Sequence, residues 1–234
     1  MRRKAMGVAL VTGASGVIGG AVARRLASDG FDVVAQHTGN GERVDALVAG
    51  IAIAGGYAVA VEAELGSALE VRALLADIEA ELGGIDVVIH CAGLAADDVD
   101  MDHAPRADIR ETFFVLSQAA SYLFNGGRIV LFAGDSGGAP VAGHGLNGLS
   151  IAATQTLVRV LARSAHSRNI TVNALAPTVA RQAPCGGGEP QRGHVASLCR
   201  HAEQPEDIAN VISFLVGPEG GWVNGQVLSG TCAA

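Results

Sequence analysis

The chain has 234 residues, enough for one α/β domain with a sizeable core. Its net charge of −7, with no basic patch interleaved with aromatics, argues against nucleic acid or an anionic membrane as the main partner. Aromatic residues make up only 4% while alanine and glycine abound, which suits helices packed closely on a sheet.

The N-terminus imitates a signal peptide, with Arg2, Arg3 and Lys4 ahead of an apolar run. The run is broken by Thr12 and Gly13 and is accounted for as a first strand, Val8–Val11, too apolar to alternate and so buried on both faces. No stretch reaches the roughly 18 apolar residues of a membrane span. Cys91, Cys185, Cys199 and Cys232 lack metal-ligand spacing. Scattered thiols of this kind are expected to be reduced, in a cytoplasmic protein.

After the first strand, Gly13, Gly16 and Gly19 follow at three-residue steps, and then Ala21, Val22 and Leu26 recur at helical spacing. Strand, glycine turn and helix form the opening of a dinucleotide-binding βαβ unit. Backbone N–H groups at the helix N-terminus then face a pyrophosphate. A tight turn without a ligand is the plainer alternative. Phe31–His37 reads as a second strand. An acidic residue near its end would hold the adenosine ribose of NAD. Gln36, His37 and Thr38 stand there instead, which points to NADP(H) or to no cofactor, with Arg43 the nearest basic side chain for a 2′-phosphate.

Glu42–Ala54 is predicted as a helix stopped by Gly55-Gly56, and Tyr57–Glu62 as the third strand. Ser67–Leu82 is amphipathic, with Leu69, Leu74, Leu75 and Ile78 expected inward and Ser67 with Glu70 fitting a capping box. Ile85–Gly93 is a fourth strand running into a glycine turn. Leu94–Ala107 is irregular and acidic. Asp97, Asp98, Asp100 and Asp102 are read there as a solvated face in preference to a metal site. Helices are predicted over Asp108–Phe124 and Leu146–Ser164, the first followed by a turn at Asn125-Gly-Gly127 and the strand Arg128–Phe132. Ile170–Pro177 is a further strand, Thr178–Gly193 a Gly/Pro-rich flap, and Gln204–Gly217 a helix with Pro205 in its first turn. Gly225–Ser229 supplies a last strand. Alternating strands and helices at this spacing predict a single α/β domain, a doubly wound parallel sheet with helices on both faces. Its ligand crevice lies at the carboxyl ends of the strands, where Gly13, His90, Cys91 and Ala133–Ser136 converge.

Across nearly its whole length the sequence resembles the short-chain dehydrogenase/reductase family, a single-domain Rossmann fold. The matching pieces are Thr12–Gly19, Ala92-Gly93, Gly127–Val130, Ile170–Pro177, Pro205–Ala209 and Trp222–Gln226. The last three look most like the branch containing β-ketoacyl–acyl-carrier-protein reductases. Members of that branch reduce a ketone with NADPH. They use a Tyr as proton donor, a Lys that lowers its pKa and holds the nicotinamide ribose, a Ser that polarises the carbonyl and an Asn that holds a relay water.

The resemblance carries those roles onto positions that no longer fit them. The Ser position is Gly134, the Tyr position Asn147, the Lys position Ile151 and the Asn position Asp108. The resemblance places cofactor contacts on Thr12, Gly13, Ser15, Gly16, Ile18, Gly19, His37, Thr38, Glu64, Leu65, Cys91, Ala92, Gly93 and Pro177. Several of these depart from the family pattern: His90-Cys91 replaces an Asn pair, Glu64 the adenine-contacting Asp, and Thr178 the Gly of Pro-Gly. The segment between Gly93 and Asp108 is also shorter than the resemblance implies, which trims one wall of the substrate cleft.

His144, Asp135 and Ser136 are candidate substitutes. His144 lies one turn before the missing Tyr and titrates near neutral pH, so that an Asp135–His144 pair would serve as proton donor or run a dehydration. The plainer alternative makes them turn and loop residues. Cys91 reads as a core filler and His90 as a residue bonding locally in the vacated Asn position. His194, Cys199 and His201 fit no metal site, and no metal is expected. Three readings remain: a catalytically degenerate subunit that keeps the scaffold, an NADP(H) reductase with non-standard residues, and a non-redox dehydratase or cyclase. For the first, the expected partner is a second copy or a related ketoreductase docking on helices 108–124 and 146–164, on substrates carried by acyl carrier protein.

Overall fold

The computed structural model of the chain describes residues 5–91, 104–132, 145–176 and 204–229. Seven parallel strands lie in the order β3-β2-β1-β4-β5-β6-β7. In chain order the elements are β1 (Val8–Thr12), α1 (Val17–Asp29), β2 (Asp32–His37), α2 (Gly41–Ile53), β3 (Tyr57–Glu62), α3 (Ala68–Leu82) and β4 (Ile85–His90). They continue with α4 (Ala104–Tyr122), β5 (Leu123–Phe132), α5 (Gly145–Ser164), β6 (Thr171–Ala176), α6 (Pro205–Val216) and β7 (Val227–Ser229). The strand order reverses between β1 and β4, and that switch point is where a doubly wound sheet opens its ligand crevice.

The period of two along β1 sorts the core into two layers. Ala9 and Val11 pack with Val22 and Leu26 of α1, Leu47 of α2 and Ile212 of α6. Val8 and Leu10 point the other way, onto Leu75 of α3, Leu116 of α4 and Val158 of α5. Both faces are therefore covered, which is why β1 reads as an unbroken apolar run.

Helix α3 takes Ser67 as its N-cap, with the Glu70 carboxylate on the Ser67 hydroxyl in place of the backbone N–H that a full capping box would use. Glu70 N–H donates to Ser67 Oγ at 3.3 Å, and Ser67 Oγ donates to Glu70 Oε2 at 2.8 Å. Its buried face is Val71, Leu74, Leu75 and Ile78, while Leu69 is 77% exposed. Leu69 precedes Val71 by two residues, about 200° around the helix, and so falls on the solvent side. Helix α4 starts at Ala104, four residues before the expected Asp108, and ends at Tyr122. The expected turn at Asn125–Gly127 falls inside β5, where the pairing with β4 slips between Ile85 and Val87. Gly126, at φ +85°, provides the left-handed residue of that irregularity. Arg168 closes this end of the sheet, donating to Ala120 O at 2.6 Å and to Asn125 Oδ1 at 3.0 Å. The last strand begins at Val227, two residues later than expected.

Candidate dinucleotide site

Strand β1 delivers Thr12 and then Gly13, whose φ of +65° turns the chain out of the sheet. Gly19 packs against that turn so closely that a Cβ on it would lie 2.3 Å from Gly13 O. Gly16 is the N-cap of α1, and no side chain caps the helix there. Among the described residues no side chain takes up the first-turn N–H groups, which lie at the end of the dipole that favours an anion. Ser15 and Ile18 are half-buried and Gly16 is exposed, which leaves the turn open to a ligand.

A buried amide side chain fixes this turn. Gly13 N–H donates to Gln36 Oε1 at 3.0 Å, and Gln36 Nε2 donates to Ala63 O at 2.6 Å. Ala14 N–H donates to Gln36 O at 2.9 Å and Ala63 N–H to His37 O at 3.0 Å. The end of β2 thus holds both the glycine turn and the segment after β3. In the sequence Gln36 stands out only as a missing carboxylate. An amide in an otherwise apolar buried strand was the signal for a polar strut.

His37 is buried, and its Nδ1 has no hydrogen-bond partner among the described residues. Its Cε1 lies 3.7 Å from where a Cβ on Gly41 would be, so the ring sits beside the first turn of α2. Thr38 and Arg43 are exposed on either side of that turn. Gln36, His37 and Thr38 offer no carboxylate at the end of β2; the nearest described ones are Glu62, which pairs with His37, and Glu42 in the first turn of α2. Glu64 is exposed, but Leu65 is fully buried among Val34, Leu74 and Leu75, so its side chain serves the core.

His90 and Cys91, at the carboxyl end of β4, have buried side chains. Thr12 Oγ1 lies 2.9 Å from His90 Nδ1, and Thr112 Oγ1 of α4 lies 3.2 Å from His90 Nε2. Burial pushes the His90 imidazole down to about 4. Cys91 N–H donates to Thr12 Oγ1 at 3.3 Å, and its thiol, buried in the α1 layer, is pushed above its ordinary range by desolvation. A thiol so held is a core filler with no nucleophilic character.

Ala92, Gly93, Gly134, Asp135, Ser136, His144 and Pro177 lie outside the described residues, as do the acidic cluster at 97–102 and His194, Cys199 and His201. Asp108 belongs to the first turns of α4, and Asn147 and Ile151 stand one turn apart at the start of α5. Among the described residues no group of three or more potential ligands surrounds a metal position, and no helix is long and apolar enough to cross a membrane. Between α4 and α5 lies an open apolar groove of about 530 Å³, lined by Thr112, Phe113, Ala152, Ala153, Thr156 and Val160 among others.

The glycine turn, the uncapped helix and the unpaired His37 nitrogen together fit the pyrophosphate and adenosine half of a dinucleotide. A family model described as enoyl-(acyl carrier protein) reductase matches residues 13–230. A probable tetrahydroxynaphthalene reductase of Zymoseptoria tritici is 32% identical over 244 residues, covering 94% of this chain and 91% of that one. A short-chain dehydrogenase from Burkholderia cenocepacia, solved in complex with NADP, superposes with a TM-score of 0.78 at 33% identity over 94% of each chain. The angucycline C-6 ketoreductase LanV with bound NADP superposes with a TM-score of 0.81 at 26% identity, over 96% of this chain and 94% of that one.

Proposed function

The chain belongs to the short-chain dehydrogenase/reductase family, and from there we propose that it is a catalytically degenerate ketoreductase-like protein, a non-catalytic partner of an active ketoreductase in polyketide- or fatty-acid-type metabolism. The observation that carries this reading is the supply of residues. Lys4 is the only lysine in the sequence, and the two tyrosines are Tyr57, which opens the edge strand β3, and Tyr122, which ends α4. No shift of register therefore brings a Tyr–Lys pair to α5, where Asn147 and Ile151 occupy the family's positions. An Asn amide is no proton donor at neutral pH, and Ile151 has no charge to hold a ribose. General acid catalysis is worth about 10²–10⁴-fold, and residues that act as a unit are lost as a unit.

The scaffold around this gap is kept. NADP(H) is the cofactor that the described residues fit: the first turn of α1 for the pyrophosphate, and His37 with Thr38 for the adenosine 2′-phosphate. That reading is supported by the NADP complexes of similar structures. The chemistry such a cofactor would supply, given a competent proton donor, is hydride transfer. This chain's own part is to orient the adenosine half and to hold the glycine turn through Gln36. The second reading, an NADP(H) reductase served by His144 or Asp135, draws on the same nucleotide-binding features.

The groove between α4 and α5 supports docking of a second copy or of a related reductase. Phe113 and Val160 stand 49% and 56% exposed beside Ala152 and Ala153, so apolar knobs lie next to a hole of small residues. An acyl carrier protein would then be met through the active partner. The test is to co-express the chain with a ketoreductase from the same source and measure the native mass. A mixed complex that forms with the wild type and is lost with Phe113→Asp supports the partner reading. A monomer at every concentration overturns it.

A further inference from the structure

We propose that His90 is a positioning residue that joins the nucleotide-binding turn to helix α4 as one unit, its ring accepting a hydrogen bond from Thr12 and donating one to Thr112. The three residues lie on three elements. Thr12 ends β1 immediately before Gly13, His90 ends β4, and Thr112 stands on α4. All are buried, at 0%, 1% and 8% exposure. A polar chain at that depth is stable only when its donors and acceptors are matched.

Donor counting fixes the direction of the chain. Thr12 Oγ1 already accepts from Cys91 N–H at 3.3 Å. Its one hydrogen is placed if it points at His90 Nδ1, 2.9 Å away. The opposite tautomer makes Thr12 accept twice and leaves its own hydrogen without a described partner. The ring proton is therefore on Nε2, directed at Thr112 Oγ1, 3.2 Å away. Lowering of the imidazole pKa by burial agrees with a neutral ring bonded at both nitrogens.

The two ends of this chain have separate business. Thr12 leads into the turn that faces the pyrophosphate, while Thr112 also lines the groove between α4 and α5. Through His90, displacement of α4 is felt at Gly13, and ordering of the turn is felt at the groove. An Asn in place of His90 is too short to reach both hydroxyls. The inference rests on the NADP(H) reading only where the turn is called nucleotide-binding; the linkage itself belongs to the chain without ligand.

The test uses the ligand-free full chain, with ¹⁵N signals of the His90 ring and amide exchange at Gly13 and Cys91 as readouts. Thr112→Val removes a hydroxyl at nearly constant volume. It is expected to shift the ring signals and to speed exchange at Gly13 and Cys91 about fivefold or more, the scale of one buried hydrogen bond. Thr112→Ser should restore both. His90→Asn should speed the same two amides, and adding Thr112→Val to it should cost nothing further. Phe113→Ala, on the same helix but exposed, should leave them alone. Unchanged ring signals and exchange in Thr112→Val would overturn the proposal. So would a uniform rise at all amides, which marks global loss of stability. NADPH titration of the wild type reports separately on the cofactor reading.

Discussion

Gln36 Oε1 accepts the Gly13 N–H at 3.0 Å while its Nε2 donates to Ala63 O at 2.6 Å, so one buried side chain spans the glycine turn and the end of β3. Gln36→Leu leaves both backbone groups without that partner in a site where Gln36 is 1% exposed. An unsatisfied buried group costs about 1–3 kcal/mol. We expect a loss of about 2 kcal/mol or more in urea unfolding, together with weaker NADPH binding.

The close approach of Gly19 to Gly13 makes a sharper prediction. A Cβ at Gly19 meets Gly13 O at 2.3 Å, a backbone atom that cannot move without opening the turn. A Cβ at the neighbouring Gly20 meets nothing nearer than Ala14 O at 3.5 Å, an ordinary contact. Gly19→Ala should abolish nucleotide binding in a fluorescence titration, while Gly20→Ala should preserve it.

His37 sets the expected nucleotide preference. With His37 Nδ1 unpaired among the described residues and no acidic residue at positions 36–38, the site is expected to favour NADPH over NADH. His37→Asp introduces a charge that repels a 2′-phosphate and accepts from a ribose hydroxyl. The ratio of the two Kd values should move toward NADH by about tenfold or more, the scale of one charge-assisted interaction.

His90 also predicts a pH dependence of stability. Burial holds its folded pKa at about 4, below the ordinary imidazole value of 6.5. Below pH 6.5 the unfolded chain therefore takes up a proton that the folded chain refuses, and stability falls until pH 4. Between pH 7 and pH 5 this group alone removes about 2 kcal/mol. Urea unfolding of the wild type should lose that much more over this interval than His90→Asn, in which the imidazole is gone.

The alternation of strands and helices, the glycine turn and the two helical layers were legible because each is written in local pattern: apolar runs for the buried strands, three-residue glycine spacing, and a helical stripe such as Ala21, Val22 and Leu26. The misassigned residues have local reasons too. Leu69 is apolar but stands off the face that Val71 begins, and Asn125-Gly-Gly127 carries turn residues yet stays within a bulged strand. What pattern does not encode is which distant residue answers a buried polar group. Gln36 finds Gly13 and Ala63, and His90 finds Thr112, only after the sheet has placed β1, β2 and β4 side by side and α4 has packed over them. The core position of Leu65 belongs to the same class: its side chain packs with Leu74 and Leu75 only once α3 docks.

The central claim, that this scaffold has lost the standard ketoreduction machinery, is tested most directly by mixing purified protein with NADPH and an acetoacetyl thioester and following nicotinamide absorbance and fluorescence together. The account predicts a binding signal with no steady consumption of NADPH. Steady oxidation of NADPH that disappears in His144→Ala or Asp135→Ala would contradict it and establish a reductase working with substitute residues.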